Sequence, residues 1–92
     1  MPLKPEEIAK NLSLLKTSWT VVDDKKIEQK FKFKDFLKAM SFVNKIAEVS
    51  EEQGHHPDIS IYYNKVDITL TTHAIGGLST NDFIMASKIE LL

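Results

Sequence analysis

Ile59-Ser60-Ile61-Tyr62-Tyr63-Asn64-Lys65-Val66-Asp67-Ile68-Thr69-Leu70 decides the fold of this 92-residue chain. Alternation runs from Ile59 to Tyr63 and resumes at Val66. Val66, Ile68 and Leu70 share one side; Asp67, Thr69 and Thr71 share the other. A period of two over this length marks strands with one buried face. Asn64-Lys65 reads as a two-residue turn, so the stretch is a β-hairpin.

A second hairpin lies upstream. Trp19-Thr20-Val21-Val22 reads as a short strand and Asp23-Asp24-Lys25 as a turn. From Lys26 to Phe33, Ile27, Phe31 and Phe33 point one way, and Lys26, Glu28, Lys30 and Lys32 the other. Three helical patterns frame the hairpins. Pro5-Glu6-Glu7 opens the first, with Ile8, Leu12 and Leu15 on one face. The second runs from about Asp35 to about Gln53. Its expected apolar stripe is Phe36, Met40, Val43 and Ala47, broadened by Leu37 and Ile46, and Gly54 caps it. Ser79-Thr80-Asn81-Asp82 has the form of a capping box and opens the third, through Phe83, Ala86 and Ile89. The order α-β-β-α-β-β-α predicts an α+β fold: a four-stranded antiparallel sheet with three helices on one face. Residues 1–92 read as a single domain without repeat or linker.

Composition narrows the function. Net charge is −1, all 12 basic residues are lysine, and cysteine is absent. Lacking arginine, the chain lacks the commonest specific contact to a base edge, so sequence-specific nucleic-acid reading is not expected. Disulfides, thiolate metal sites and a cysteine nucleophile are excluded. The lysines between Lys25 and Lys38 read as a solvated face that discourages aggregation. No stretch has signal-peptide or membrane-spanning character, and the expected location is cytoplasmic. A domain this small buries only roughly 60–65% of its unfolded surface, so self-association is expected.

The three histidines are His55, His56 and His73. Histidine is the side chain that exchanges protons most readily near neutrality. His55 and His56 follow a helix C-terminus, between Gly54 and Pro57. On a continuous strand, His73 falls on the polar side with Asp67, Thr69 and Thr71. Glu51 lies four residues before His55; if the helix runs that far the two share a face and can pair, and otherwise Glu51 is one more surface acid beside Glu48 and Glu52. Adjacent histidines diverge and rarely reach one ion, so no metal site is expected. No serine sits in a nucleophile turn, and no glycine loop cradles a phosphate. Asp82 is read first as the acid of the capping box, a structural neighbour of the site.

Glu51-x-x-x-His55-His56-Pro57, then Tyr63, His73 and Asp82, resembles the signature of the pterin-4a-carbinolamine dehydratases. Phe31-Lys32-Phe33-Lys34-Asp35-Phe36, Tyr63-Asn64-Lys65-Val66, Ile68 to His73 and Gly77-Leu78-Ser79 extend the likeness to nearly the whole chain. The resemblance implies a hydro-lyase that dehydrates 4a-hydroxytetrahydropterin to quinonoid dihydropterin, recycling the pterin of aromatic amino-acid hydroxylases. It implies no cofactor besides the pterin substrate. It makes His55 and His73 the acid/base pair, with His56 positioning the pterin and Glu51 orienting His55. It places Pro57, Thr72, Ala74 and Ile75 along the pterin pocket, largely through backbone groups. Gly54 stands where some relatives carry an acid, and Ile59 where some carry tryptophan. The family's homodimers and dimers of dimers set the expected assembly. The alternative from another class is a non-catalytic module of the same fold that stabilises a protein partner.

Overall fold

The two central strands come one from each of the expected hairpins. In a computed structural model that describes all residues 1–92, β2 (Lys26–Lys32) pairs with β4 (Lys65–Leu70), burying Ile27 against Leu70 and setting Phe31 opposite Val66. β1 (Thr20–Val22) and β3 (Asp58–Tyr62) are the edges, and the antiparallel order is β1-β2-β4-β3. Helices α1 (Pro5–Ser13), α2 (Phe36–Gln53) and α3 (Thr80–Ile89) complete the expected α+β architecture. The sheet face bearing Ile27, Val66, Ile68 and Leu70 is fully buried. It meets Ala39, Phe42 and Ile46 of α2, and Phe83, Met85, Ala86 and Ile89 of α3, in one core. Phe42 lies 4.8 Å from Phe31 and 4.9 Å from Phe33, ring centre to ring centre, which ties α2 to β2. Each such side chain contributes roughly 1.5–3 kcal/mol through burial.

The opposite sheet face is wet. Lys30 stands across from Asp67, and Lys32 across from Lys65. The lysine-rich stretch is therefore largely a solvated face, as its composition indicates.

Two expectations shift. The hairpin turn is Tyr63-Asn64, because Tyr62 pairs with Lys65. Tyr63 takes φ 51°, and the Asn64 side chain donates to Phe33 O at 3.0 Å, bracing the turn against β2. The buried face of α2 is also rotated by about one residue. Ala39, Phe42, Ile46 and Ser50 are inside, whereas Phe36, Leu37 and Ala47 are exposed and Met40 and Val43 half-buried. A helix with apolar residues nearly all round offers two stripes, and periodicity alone does not choose between them.

The α1–β1 connection is held by one side chain from the far end of the chain. The Glu90 carboxylate accepts from Lys16 N (3.0 Å), Thr17 N (2.7 Å), Thr17 Oγ1 (2.6 Å) and Trp19 Nε1 (3.1 Å). Partial burial pushes the Glu90 pKa up, but hydrogen bonds from Thr17, Lys16 and Trp19 outweigh it, so the value falls below the usual 4.5. A carboxylate whose folded pKa is lowered stabilises the fold above its unfolded pKa, and loses that contribution as pH falls through the folded value. Glu90→Gln is expected to lower stability at pH 7 by about 1 kcal/mol. Denaturation of both proteins from pH 7 to pH 3 should show the difference narrowing below about pH 4.5.

Candidate active site

The turn that carries His55 and His56 is made by the end of α2. Gly54 adopts φ 63°, ψ 31°, the left-handed cap that glycine accepts without strain. His55 N–H then donates back to Ser50 O at 3.2 Å, and Pro57 blocks any resumption of helix. The reversal turns His55 inward and leaves His56 outside.

His55 meets Asp82. The His55 Nε2 to Asp82 Oδ1 separation is 2.6 Å; Asp82 is 0% exposed and the His55 side chain 14%. The other oxygen, Oδ2, accepts from Thr72 Oγ1 at 2.8 Å and from Ser79 N–H at 2.9 Å. The Ser79–Asp82 capping box is present as expected. It uses only one of the two oxygens of Asp82. The second is aimed at His55.

His56 meets Glu51. Their side chains are 2.5 Å apart and lie in water, 61% and 79% exposed. Glu51 therefore pairs with His56, not with His55 as expected. The i,i+4 rule holds only while the helix continues, and the left-handed Gly54 ends it between the partners.

His73 is not on a strand. β4 ends at Leu70, and His73 opens a short 3₁₀ turn, His73–Ile75, closed by Gly76 at φ 67°. Its ring makes no hydrogen bond or ion pair within the chain and is exposed. Thr72 and Gly77 pair across the base of this turn. Ala74 is exposed and Ile75 and Pro57 are half-buried. An open groove of about 370 Å³ lies beside His73, walled by Thr71, Gly76 and the β1–β2 turn with Lys25 and Lys26. Thr71 Oγ1 donates to Lys25 O at 2.6 Å, which ties that turn to the segment carrying His73. A hollow of about 180 Å³ between α1 and α3 has no titratable side chain in its walls. Nowhere do three or more His, Asp or Glu side chains gather in a metal-binding cluster.

The side chains that sequence reasoning missed are Asp82 as partner of His55 and Thr72 as a hydroxyl donor. The available signal was the capping-box acid itself, since a carboxylate that caps with one oxygen must satisfy the other wherever it is buried.

The proton positions follow from the donor inventory. Ser79 N–H can only donate, and a carboxylate at Asp82 can only accept. The single Thr72 hydroxyl proton goes to Asp82 Oδ2, so at 2.7 Å the Ser79 hydroxyl donates to Thr72 Oγ1. His55 likewise donates Nε2–H to Asp82 Oδ1. In the neutral ring this leaves Nδ1 as the acceptor.

On this α+β domain a buried aspartate thus orients one histidine beside a loop that carries another. The family model described as "Pterin 4 alpha carbinolamine dehydratase" matches residues 1–92. The chain belongs to this family. A relative from Alkaliphilus metalliredigens, with the provisional name pterin-4-alpha-carbinolamine dehydratase, is 45% identical over 97% of this chain and 80% of its own. One from Nitrosospira multiformis, named likewise, is 47% identical over 99% of this chain and 79% of its own. A crystal structure from Brucella melitensis, described as a transcriptional coactivator/pterin dehydratase, superposes with TM-score 0.92 at 37% identity, covering 99% and 97% of the two chains. A pterin dehydratase-like protein, described as a RuBisCO assembly factor in the alpha-carboxysome, shares the fold at TM-score 0.70 and 23% identity, over 82% of this chain and 88% of its own.

Gly54→Ala introduces a Cβ at positive φ, although open space surrounds it. It is expected to cost about 1 kcal/mol in urea denaturation. It should also lengthen the His55–Asp82 contact, read as a change in the His55 ring resonances.

Proposed function

We propose that this chain dehydrates 4a-hydroxytetrahydropterin to quinonoid dihydropterin and water, using histidine general acid/base catalysis. The observation that carries the reading is the buried Asp82–His55 pair adjoining the loop of His73. Family membership supplies the reaction class.

The reaction needs two proton movements. The C4a hydroxyl must gain a proton to leave as water. A ring nitrogen must lose one as the C=N bond forms. His55 is suited to take a proton, because Asp82 holds its Nε2–H and leaves Nδ1 as acceptor. Asp82 then stabilises the imidazolium through the same contact, much as a buried carboxylate supports histidine in hydrolytic triads. His73, exposed and unpartnered, is suited to give a proton to the departing hydroxyl. His56, held by Glu51 at the rim, positions the pterin. Pro57, Thr72, Ala74 and Ile75 are assigned to the pterin's approach by the family resemblance, and the neighbouring groove walled by His73, Thr71 and Gly76 receives the substrate's outer portion. No further cofactor enters this scheme.

The presence of all three histidines, one of them held by a buried aspartate, supports an enzyme over a purely structural assembly module, which has no use for such a set of titratable groups. We also propose that the chain acts as a homo-oligomer in the cytoplasm. Phe36 and Leu37 of α2, and Ile61, Tyr62 and Tyr63 at the β3 edge, are exposed apolar surface in the single chain. No helix is long and apolar enough to cross a membrane.

The test is the dehydration rate of enzymatically generated 4a-hydroxytetrahydropterin, followed by ultraviolet absorbance. Wild type should accelerate it. His55→Ala and His73→Ala should each lose about 10²–10⁴-fold in kcat. Asp82→Asn should lose a similar factor, because the amide also satisfies the other ring tautomer. Absence of acceleration by folded wild type would sink the enzymatic reading. For assembly, Leu37→Glu should shift the chain to smaller species in analytical ultracentrifugation, since Leu37 is 78% exposed and its replacement costs the core nothing.

A further inference from the structure

Thr72 occupies the one position that touches both histidines' supports. Its side chain donates to Asp82 Oδ2 at 2.8 Å, and Asp82 Oδ1 holds His55. Its backbone closes the loop that begins with His73. Thr72 N–H donates to Gly77 O at 2.9 Å, and Thr72 O accepts from Ile75 N–H at 3.1 Å and Gly77 N–H at 3.4 Å. His73 O then accepts from Gly76 N–H at 3.1 Å, so the loop is closed on itself across Thr72 and Gly77.

The hydroxyl has a set direction. Its proton is committed to the carboxylate, and Ser79 Oγ fills its acceptor side at 2.7 Å. The donors thus converge on the carboxylate from both sides: Ser79 O–H to Thr72 Oγ1 and Thr72 O–H to Asp82 Oδ2 on one, His55 Nε2–H to Asp82 Oδ1 on the other. A hydroxyl so held is rigid, and it joins a loop residue next to His73 with a carboxylate next to His55.

We propose that Thr72 is a positioning residue that sets His55 and His73 relative to each other, acting through Asp82 on one side and through its own backbone on the other. The reading of the site as a pterin dehydratase underlies this proposal. The Thr72 side chain touches no reacting atom. Without its hydroxyl, Asp82 Oδ2 keeps only Ser79 N–H, and the carboxylate gains freedom to rotate away from His55. The His73 loop also loses its side-chain tie to α3. Reacting groups misplaced by about an ångström lose up to about 10²-fold in rate, whereas substrate binding spread over a whole groove changes little.

The experiment compares wild type with Thr72→Val, Thr72→Ser and, as control, Thr69→Val, which removes a hydroxyl from the outer face of β4. Thr72→Val is expected to lose about 10- to 100-fold in kcat with little change in KM. Thr72→Ser, which restores the hydroxyl, should recover most of the loss, and Thr69→Val should retain wild-type kcat. If Thr72→Val does not fold, Thr72→Ala carries the same expectation, because it too lacks the hydroxyl. A second readout needs no turnover. The His55 Nε2–H proton, protected by Asp82, should give a downfield resonance in wild type and Thr72→Ser, and a broadened or shifted one in Thr72→Val. Active wild type with Thr72→Val at full kcat overturns the positioning role, as does an unchanged His55 resonance. Inactive wild type with the resonance responding as described overturns the dehydratase reading and leaves the coupling standing.

Discussion

A carboxylate with no exposure to water is the point on which this structure turns. Removing a charge from water costs several kcal/mol unless good partners replace the solvent. Asp82 finds three, and each comes from a different part of the chain: the loop after α2, the end of β4 and the residue that caps α3. None of the three can be displaced without leaving a buried oxygen short of a donor, which costs about 1–3 kcal/mol or more for a charged group. The same side chain therefore starts a helix, fastens the exit from the central strand and orients an imidazole. Stability and chemistry are not separable at this position.

The sheet makes that convergence possible. β4 is central, paired on both sides, and its apolar residues are fully buried. Its C-terminal end is therefore as fixed as any place in so small a domain. The segment that leaves it, from Thr71 to Gly77, spans the distance to α3 with side-chain ties on two sides: Thr71 to the β1–β2 turn and Thr72 to Asp82. His73 sits on this braced segment, exposed yet anchored. The acid role proposed for His73 calls for both properties, reach into solvent and a support that does not wander.

Much of this was legible in the sequence. Alternation in Lys26–Lys32 and Lys65–Leu70 revealed these segments as strands, and the apolar set Val66, Ile68, Leu70 is the buried one; their place at the centre of the sheet was not announced. Asp35 and Gly54 bounded α2 correctly, because a side-chain acceptor at one end and a left-handed residue at the other are local properties. The buried face of α2 was not legible. Phe36, Met40 and Val43 form as good a stripe as Ala39, Phe42 and Ile46, and the second is the one that packs into the core, Phe42 against Phe31 of β2 and Phe33 just beyond it. The hairpin turn slipped by one residue, since nothing local announces that Tyr63 rather than Lys65 takes positive φ. The role of Asp82 was hidden for a different reason. Its contact with His55 spans 27 residues, and sequence spacing carries no information across that distance without the fold between.

The two histidine–carboxylate pairs show how one loop produces unlike neighbours. His56–Glu51 is short but lies in water, where an ion pair is worth little and competes with solvent and with side-chain freedom. His55–Asp82 has similar geometry with one partner wholly buried, so each hydrogen bond acts in a lower dielectric and the ring has one orientation to adopt. Adjacent residues thus receive different duties from their surroundings alone. The exposed pair is free to rearrange, whereas the pair with Asp82 is held. That division follows from Gly54: the left-handed cap turns the chain between Glu51 and the two histidines, sending one ring toward α3 and the other back over the end of α2. A helix continued by one more residue would carry His55 toward Glu51 and leave the Asp82 oxygen without its third donor.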